Sequence, residues 1–125
     1  MPKILIVEDN EMNRDMLTRR LQRHGFEIRI AVDGASGIAA ADSEMPDLIL
    51  MDVALGEMDG WEATTRIKAN PRTAQIPVIT LTAHALASDH RRSLEVGCID
   101  FDTKPVDMPR LLGKINNALS ARPAA

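Results

Sequence analysis

Five short runs rich in branched aliphatic residues punctuate the chain, at Ile4 to Val7, Glu27 to Val32, Leu48 to Met51, Val78 to Leu81 and Ile99 to Phe101. The run at Leu48 to Met51 lacks the apolar and polar alternation of a half-exposed strand. It therefore predicts a strand covered on both faces, the kind found in parallel sheets. Between the runs, apolar positions recur with helical period. Met12, Met16, Leu17 and Leu21 share one face of a predicted helix that ends near Gly25, where glycine suits a helix terminus. The last periodic segment opens at Asp107, a good N-cap, and repeats Met108, Leu111, Leu112, Ile115 and Leu119. Strand and helix thus alternate five times over short connections. That pattern predicts an α/β fold, a single (βα)5 doubly wound parallel sheet with helices on both faces and right-handed crossovers. One domain over residues 1–125 is expected, with its core at about 3–119 and a short tail at 121–125.

Composition supports this picture and narrows the partners. A chain of 125 residues with 45% apolar content can bury one real core and is too short for two ordinary domains. A net charge of -3 and a pI near 5.6 argue against a nucleic-acid or anionic-membrane surface, which calls for clustered Lys and Arg. The single cysteine, Cys98, allows no internal disulfide and reads as a small core filler beside Gly97. The opening MPKILIVED contains no signal-peptide core, so a cytoplasmic protein is expected.

The chemistry lies where the predicted strands end. In an open parallel sheet the functional crevice forms beyond the carboxyl ends of the strands. The first strand ends on Glu8 and Asp9, the third on Asp52, the fourth on Thr82, and the fifth leads to Lys104 and Pro105. Clustered carboxylates repel one another unless a cation sits among them. An oxygen-only donor set with room for water and phosphate oxygens is the preference of Mg²⁺. A lysine across the crevice suits a phosphoryl group as a point charge, and an aspartate carboxylate can accept that group.

The motifs VEDN, LILMDVALGEMDG, LTA and TKP stand in this order at the strand ends. With them the chain resembles a response-regulator receiver domain, the phosphoacceptor module of two-component signalling, from Lys3 to about Leu119. The resemblance implies the flavodoxin-like strand order 2-1-3-4-5. It implies that Asp52 accepts a phosphoryl group from a sensor histidine kinase or a histidine phosphotransfer protein. Asp9 and Asp52 would bind Mg²⁺ directly, Glu8 through water, and the Ala54 carbonyl would complete the protein's ligands. Thr82 and Lys104 would contact the phosphoryl oxygens, and Lys104 and Pro105 would join through a cis peptide. Thr82 and Phe101 would form the switch, with plain packing at Phe101 an equal alternative. Ala54 and His84 would tune hydrolysis of the phosphoryl group. The implied exit for the signal is a face made of the fourth helix, fifth strand and fifth helix, at 86–96, 99–103 and 107–119. A downstream target protein would dock there, and a homodimer through the same face stays open.

Several positions depart from the family's usual pattern. Gly56 stands where a proline commonly stiffens the loop after the phosphoacceptor. Asp102 occupies a position usually apolar, so it either lies exposed on an edge or pairs with a cation. Trp61 follows Gly60 at a helix start, where packing is the plainer reading and a partner contact the other. The run His90, Arg91, Arg92 reads as a solvated helix face or a partner surface. The chain is read as a single-domain response regulator that catalyses only its own phosphoryl transfer and slow autodephosphorylation. Two rivals are a small metal-dependent phosphatase on the same acidic rim and a pseudo-receiver without phosphoryl chemistry. The first lacks a segment to enclose a substrate, and the second would be expected to have lost an acid or the lysine.

Overall fold

Residues 1–83 and 87–121 are described by the computed structural model of the chain. Along it run β1 (Lys3–Val7), α1 (Glu11–Arg23), β2 (Glu27–Ala31), α2 (Gly34–Glu44), β3 (Leu48–Asp52), α3 (Gly60–Ala69), β4 (Val78–Thr82), α4 (Ala87–Glu95), β5 (Asp100–Thr103) and α5 (Met108–Ala121). The strands form one sheet in the order β2-β1-β3-β4-β5, and every neighbouring pair is parallel. This is the flavodoxin-like doubly wound fold expected of the chain.

Alternation along each strand divides the core into two layers. Ile4, Ile6, Leu48, Leu50, Ile79 and Leu81 pack against Leu17 and Leu21 of α1 and Leu111 and Ile115 of α5. Leu5, Val7, Ile49, Met51 and Val78 face Ala41 of α2 and Ala63 and Ile67 of α3. Each such aliphatic side chain contributes about 2 kcal/mol by leaving water, so the three central strands anchor everything at their ends. The helices begin near those ends because short polar residues cap them. Asn10 accepts from the Asn13 amide at 2.9 Å, Asp59 from Glu62 at 2.8 Å and Asp107 from Arg110 at 3.1 Å.

One apolar position and the bounds of three elements differ from the periodicity. Met12 is 81% exposed, so the buried stripe of α1 narrows to Leu17 and Leu21 with Met16 at its edge. β2 stops at Ala31, and α4 ends at Glu95, while the expected first residue of that helix, Leu86, lies outside the described residues. β5 spans Asp100–Thr103 rather than starting at Ile99, whose side chain is 45% exposed. The reason is that β5 buries an aspartate, Asp102, where apolar periodicity looks for an aliphatic side chain.

Two glycines shape the loop after β3. Gly56 has a φ of +86°, a left-handed conformation that glycine adopts without strain. Gly60 opens α3 against the end of β3, and its amide donates to the Val53 carbonyl at 2.8 Å.

Candidate functional site

The rim at the carboxyl ends of β1, β3, β4 and β5 brings together Glu8, Asp9, Asp52, Thr82 and Lys104. Glu8 follows β1 directly and is 1% exposed, whereas Asp9, one residue further along, is exposed. Asp52 is the last residue of β3 and is 3% exposed. Its apolar strand thus delivers an acidic residue to the rim. Ligand oxygens of Glu8, Asp9 and Asp52 lie within 4.8 Å of one another.

Lys104 answers this negative charge. Its Nζ lies 2.9 Å from Glu8 Oε1 and 3.1 Å from Asp52 Oδ1. The Lys104–Pro105 peptide bond is cis, and the Lys104 amide donates to the Thr82 carbonyl at 2.8 Å. Asp52 Oδ1 also accepts from the Ala54 amide at 3.2 Å, and Glu8 Oε2 from the Asn10 amide at 3.3 Å. Thr82 ends β4 and is buried at the rim.

The electrostatics record crowding. Burial first, then the contact with Asp52, holds the Glu8 carboxyl above its ordinary pKa, against the opposing pull of Lys104. Burial alone would lower the Lys104 pKa, but its contacts with Glu8 and Asp52 outweigh burial and leave it raised. Three acids facing one ammonium leave the cluster short of positive charge. Its donors are all oxygen, they converge, and a small hard dication matches them. The residues therefore fit Mg²⁺.

A stability test follows from this crowding. Because Glu8 is pushed upward, its protonated form favours the folded state, a contribution present below its ordinary value of 4.5 and lost as pH rises through the raised one. In EDTA near neutrality, Asp52→Asn should melt above wild type by about 4 °C, the shift that ~1 kcal/mol of relieved repulsion gives a small domain. Wild type in Mg²⁺ should gain melting temperature with the logarithm of metal concentration, and Asp52→Asn should gain less. A lower melting temperature for Asp52→Asn in EDTA would show the repulsion to be negligible.

Away from the rim, the ring of Phe101 of β5 contacts side chains of both α4 and α5. His90 stacks on its ring with centroids 3.6 Å apart and planes at 20°, and Lys114 Nζ sits 4.9 Å from the ring centroid. Lys114 also donates to the Phe101 carbonyl, closing the outer edge of the sheet. His90 is thus packed on Phe101, while Arg91 of the same run is exposed. Trp61 Nε1 donates to Ser93 Oγ at 3.0 Å, and Ser93 Oγ lies 2.7 Å from Thr80 Oγ1. Ser93 is the one buried residue of α4. Asp102 is 3% exposed and pairs with Arg110 at 2.8 Å, which resolves its open reading in favour of the cation. Cys98 is buried, and burial pushes its thiol up to about 11, as suits a core filler.

His84 lies outside the described residues. Arg110, Lys114 and Ser93 were not singled out from sequence. The spacing of Arg110 and Lys114, one turn apart on α5, is the signal that could have named the partners of Asp102.

An open parallel sheet with convergent carboxylates and a lysine at its carboxyl edge defines a class of phosphate- and metal-handling α/β proteins. The family model for the response regulator receiver domain matches residues 4–116, and the chain belongs to this family of two-component signalling. Protein PilH of Pseudomonas aeruginosa is 37% identical over 120 residues, covering 96% of this chain and 99% of that protein. The DNA-binding dual master transcriptional regulator RpaA of Synechocystis is 36% identical over 119 residues, and the chain spans about half of it, 49%. Among solved structures, the receiver domain of the sensor histidine kinase PA1611 of Pseudomonas aeruginosa superposes with a TM-score of 0.89 at 32% identity, covering 96% of this chain and 98% of that one. That structure has a magnesium ion coordinated in its active-site cleft. Receiver domains bind Mg²⁺ at an acidic site of this kind. Among the described residues no helix is long and apolar enough to cross a membrane.

Proposed function

We propose that Asp52 accepts a phosphoryl group from a phosphohistidine donor, a sensor histidine kinase or histidine phosphotransfer protein, in a Mg²⁺-dependent reaction. The observation that carries this reading is Lys104 Nζ at 2.9 Å from Glu8 and 3.1 Å from Asp52, bridging two acids of the carboxylate cluster. An Asp52 carboxylate oxygen attacks phosphorus, the phosphorus–nitrogen bond breaks, and the imidazole leaves with its electron pair and takes up a proton. Lys104 neutralises charge on the transferred oxygens, and the Thr82 hydroxyl donates to one of them. Glu8, Asp9, Asp52 and the Ala54 carbonyl would hold Mg²⁺, which neutralises the carboxylates and the transferred group. The chain turns over no external substrate in this reading.

The acyl phosphate then biases one packing of Thr82, Phe101 and α4 over another, and the face of α4, β5 and α5 passes the signal to a target protein. Phe101 contacts His90 of α4 and Lys114 of α5, so it links the three elements of that face, which supports this reading of Phe101. Ala54 offers no polar group to hold an attacking water in line, which favours a long-lived phosphoprotein. Decay in Mg²⁺ should therefore be faster in Ala54→Asn, and an unchanged rate would remove Ala54 from that role. The central test is intact-mass analysis after incubation with acetyl phosphate. One phosphoryl group per chain is expected in Mg²⁺ and none in EDTA, and absence of uptake in both would overturn the proposal.

A further inference from the structure

The corner between β5 and α5 carries a buried carboxylate that the rim does not use. Asp102 Oδ1 accepts from Arg110 Nε at 2.8 Å and from the Thr103 amide at 2.8 Å, and Lys114 Nζ lies 3.9 Å away. Its Oδ2 is buried with no hydrogen-bond partner among the described residues. A carboxylate taken out of water with part of its bonding capacity unused is an expensive way to pack a strand against a helix. An aliphatic side chain would pack there at no such cost. The pair must therefore be read by what it encloses.

Between β5 and α5 the chain passes through Lys104, Pro105, Val106 and Asp107. Arg110 sits in the first turn of α5, where its amide is capped by Asp107 at 3.1 Å. Its guanidinium reaches back over the corner to Asp102, and Nη2 donates to Thr103 Oγ1 at 3.3 Å. One planar group thus joins the strand end to the helix start and closes the loop that carries Lys104. A lysine stem has four rotatable carbons, so its ammonium is aimed only as well as its backbone is held.

We infer that Asp102 and Arg110 are positioning residues for phosphoryl uptake, fixing the corner from which Lys104 reaches Glu8 and Asp52. The inference rests on the phosphoacceptor reading. A misplacement of about 1 Å at a reacting group can cost ~100-fold in rate, so even partial loosening of this corner should be measurable.

The test is a double-mutant cycle on the rate of labelling by acetyl phosphate in saturating Mg²⁺. Arg110→Ala should slow labelling about tenfold when Lys104 is present and leave it unchanged in a Lys104→Ala background. Arg110→Lys keeps a cation over Asp102 but lacks the fork that spans Asp102 and Thr103, so it should fold and label about threefold slower. It replaces Arg110→Ala in the cycle if that variant fails to fold by circular dichroism. A second readout, acylation of the Lys104 amine mapped by mass spectrometry, should rise severalfold in either Arg110 variant. Equal slowing with and without Lys104, or unchanged Lys104 reactivity, would reduce the pair to a packing contact and overturn the inference alone. Absence of uptake by wild type would overturn the phosphoacceptor reading and this inference with it.

Discussion

Asp52→Asn is expected to take up no phosphoryl group from acetyl phosphate in Mg²⁺ while keeping its fold. Asparagine preserves the shape of the side chain and the acceptor for the Ala54 amide at 3.2 Å, but an amide oxygen is a poor nucleophile beside a carboxylate. The neighbouring acids do not replace it. Glu8 is 1% exposed and held by Lys104 at 2.9 Å, and Asp9 is the solvent-exposed member of the cluster. Loss of uptake below detection, with a cooperative melt, is the outcome that assigns Asp52 as the acceptor. Undiminished labelling would place the acceptor elsewhere.

Gly60→Ala is expected to produce the largest loss of stability of any single-methyl change near the site. Helix propensity alone would favour alanine at the start of α3 by about 1 kcal/mol, so the expected sign reverses the naive one. The reason is the closeness of the strand end. A Cβ at Gly60 would overlap the Asp52 carbonyl oxygen and stand 2.9 Å from both the Asp52 carbonyl carbon and Val53 Cα. These are backbone atoms that no rotamer change can withdraw, and Asp52 is fixed through the sheet by its pairing with Leu81. A loss of about 3 kcal/mol, roughly 10 °C in melting temperature, should follow, with slower phosphoryl uptake because Asp52 itself moves. A melting temperature equal to wild type would mean that α3 can swing away freely. By contrast, an added methyl at Gly56 meets no atom within 4 Å, so its cost would come from the positive φ alone.

Much of this architecture is visible in residue order, for reasons that differ between its parts. β3 was legible because Leu48 to Met51 is an unbroken apolar run, and such runs occur where both faces are covered. The acids and Lys104 were legible because strand ends in a parallel sheet converge, so a residue's place along its strand indicates its place in space. β5 was the least legible strand, since Asp102 is buried by a contact with Arg110 that lies eight positions away on another element. Burial of that kind leaves no periodic trace. Met12 failed for the opposite reason, because its spacing matches the apolar stripe while α1 is too close to its own N-terminus for the sheet to reach it. The tie from Trp61 through Ser93 to Thr80 joins α3, α4 and β4, and no local rule connects a tryptophan to a serine thirty-two positions on.

That tie gives α4 a character unlike the other helices. Its one buried residue is a serine, so oriented hydroxyl contacts, together with the stack of His90 on Phe101 and with no buried aliphatic side chain of its own, secure it to the body of the protein. Such contacts are lost abruptly over a fraction of an ångström, whereas apolar contacts fade gradually as surfaces slide. A helix fastened in this way moves by unclipping, and its amides should exchange with deuterium ahead of those of α1 and α5, which are seated on leucine and isoleucine. Because Trp61 is the sole tryptophan and donates the bond at the clip, its emission should report the opening of that contact directly.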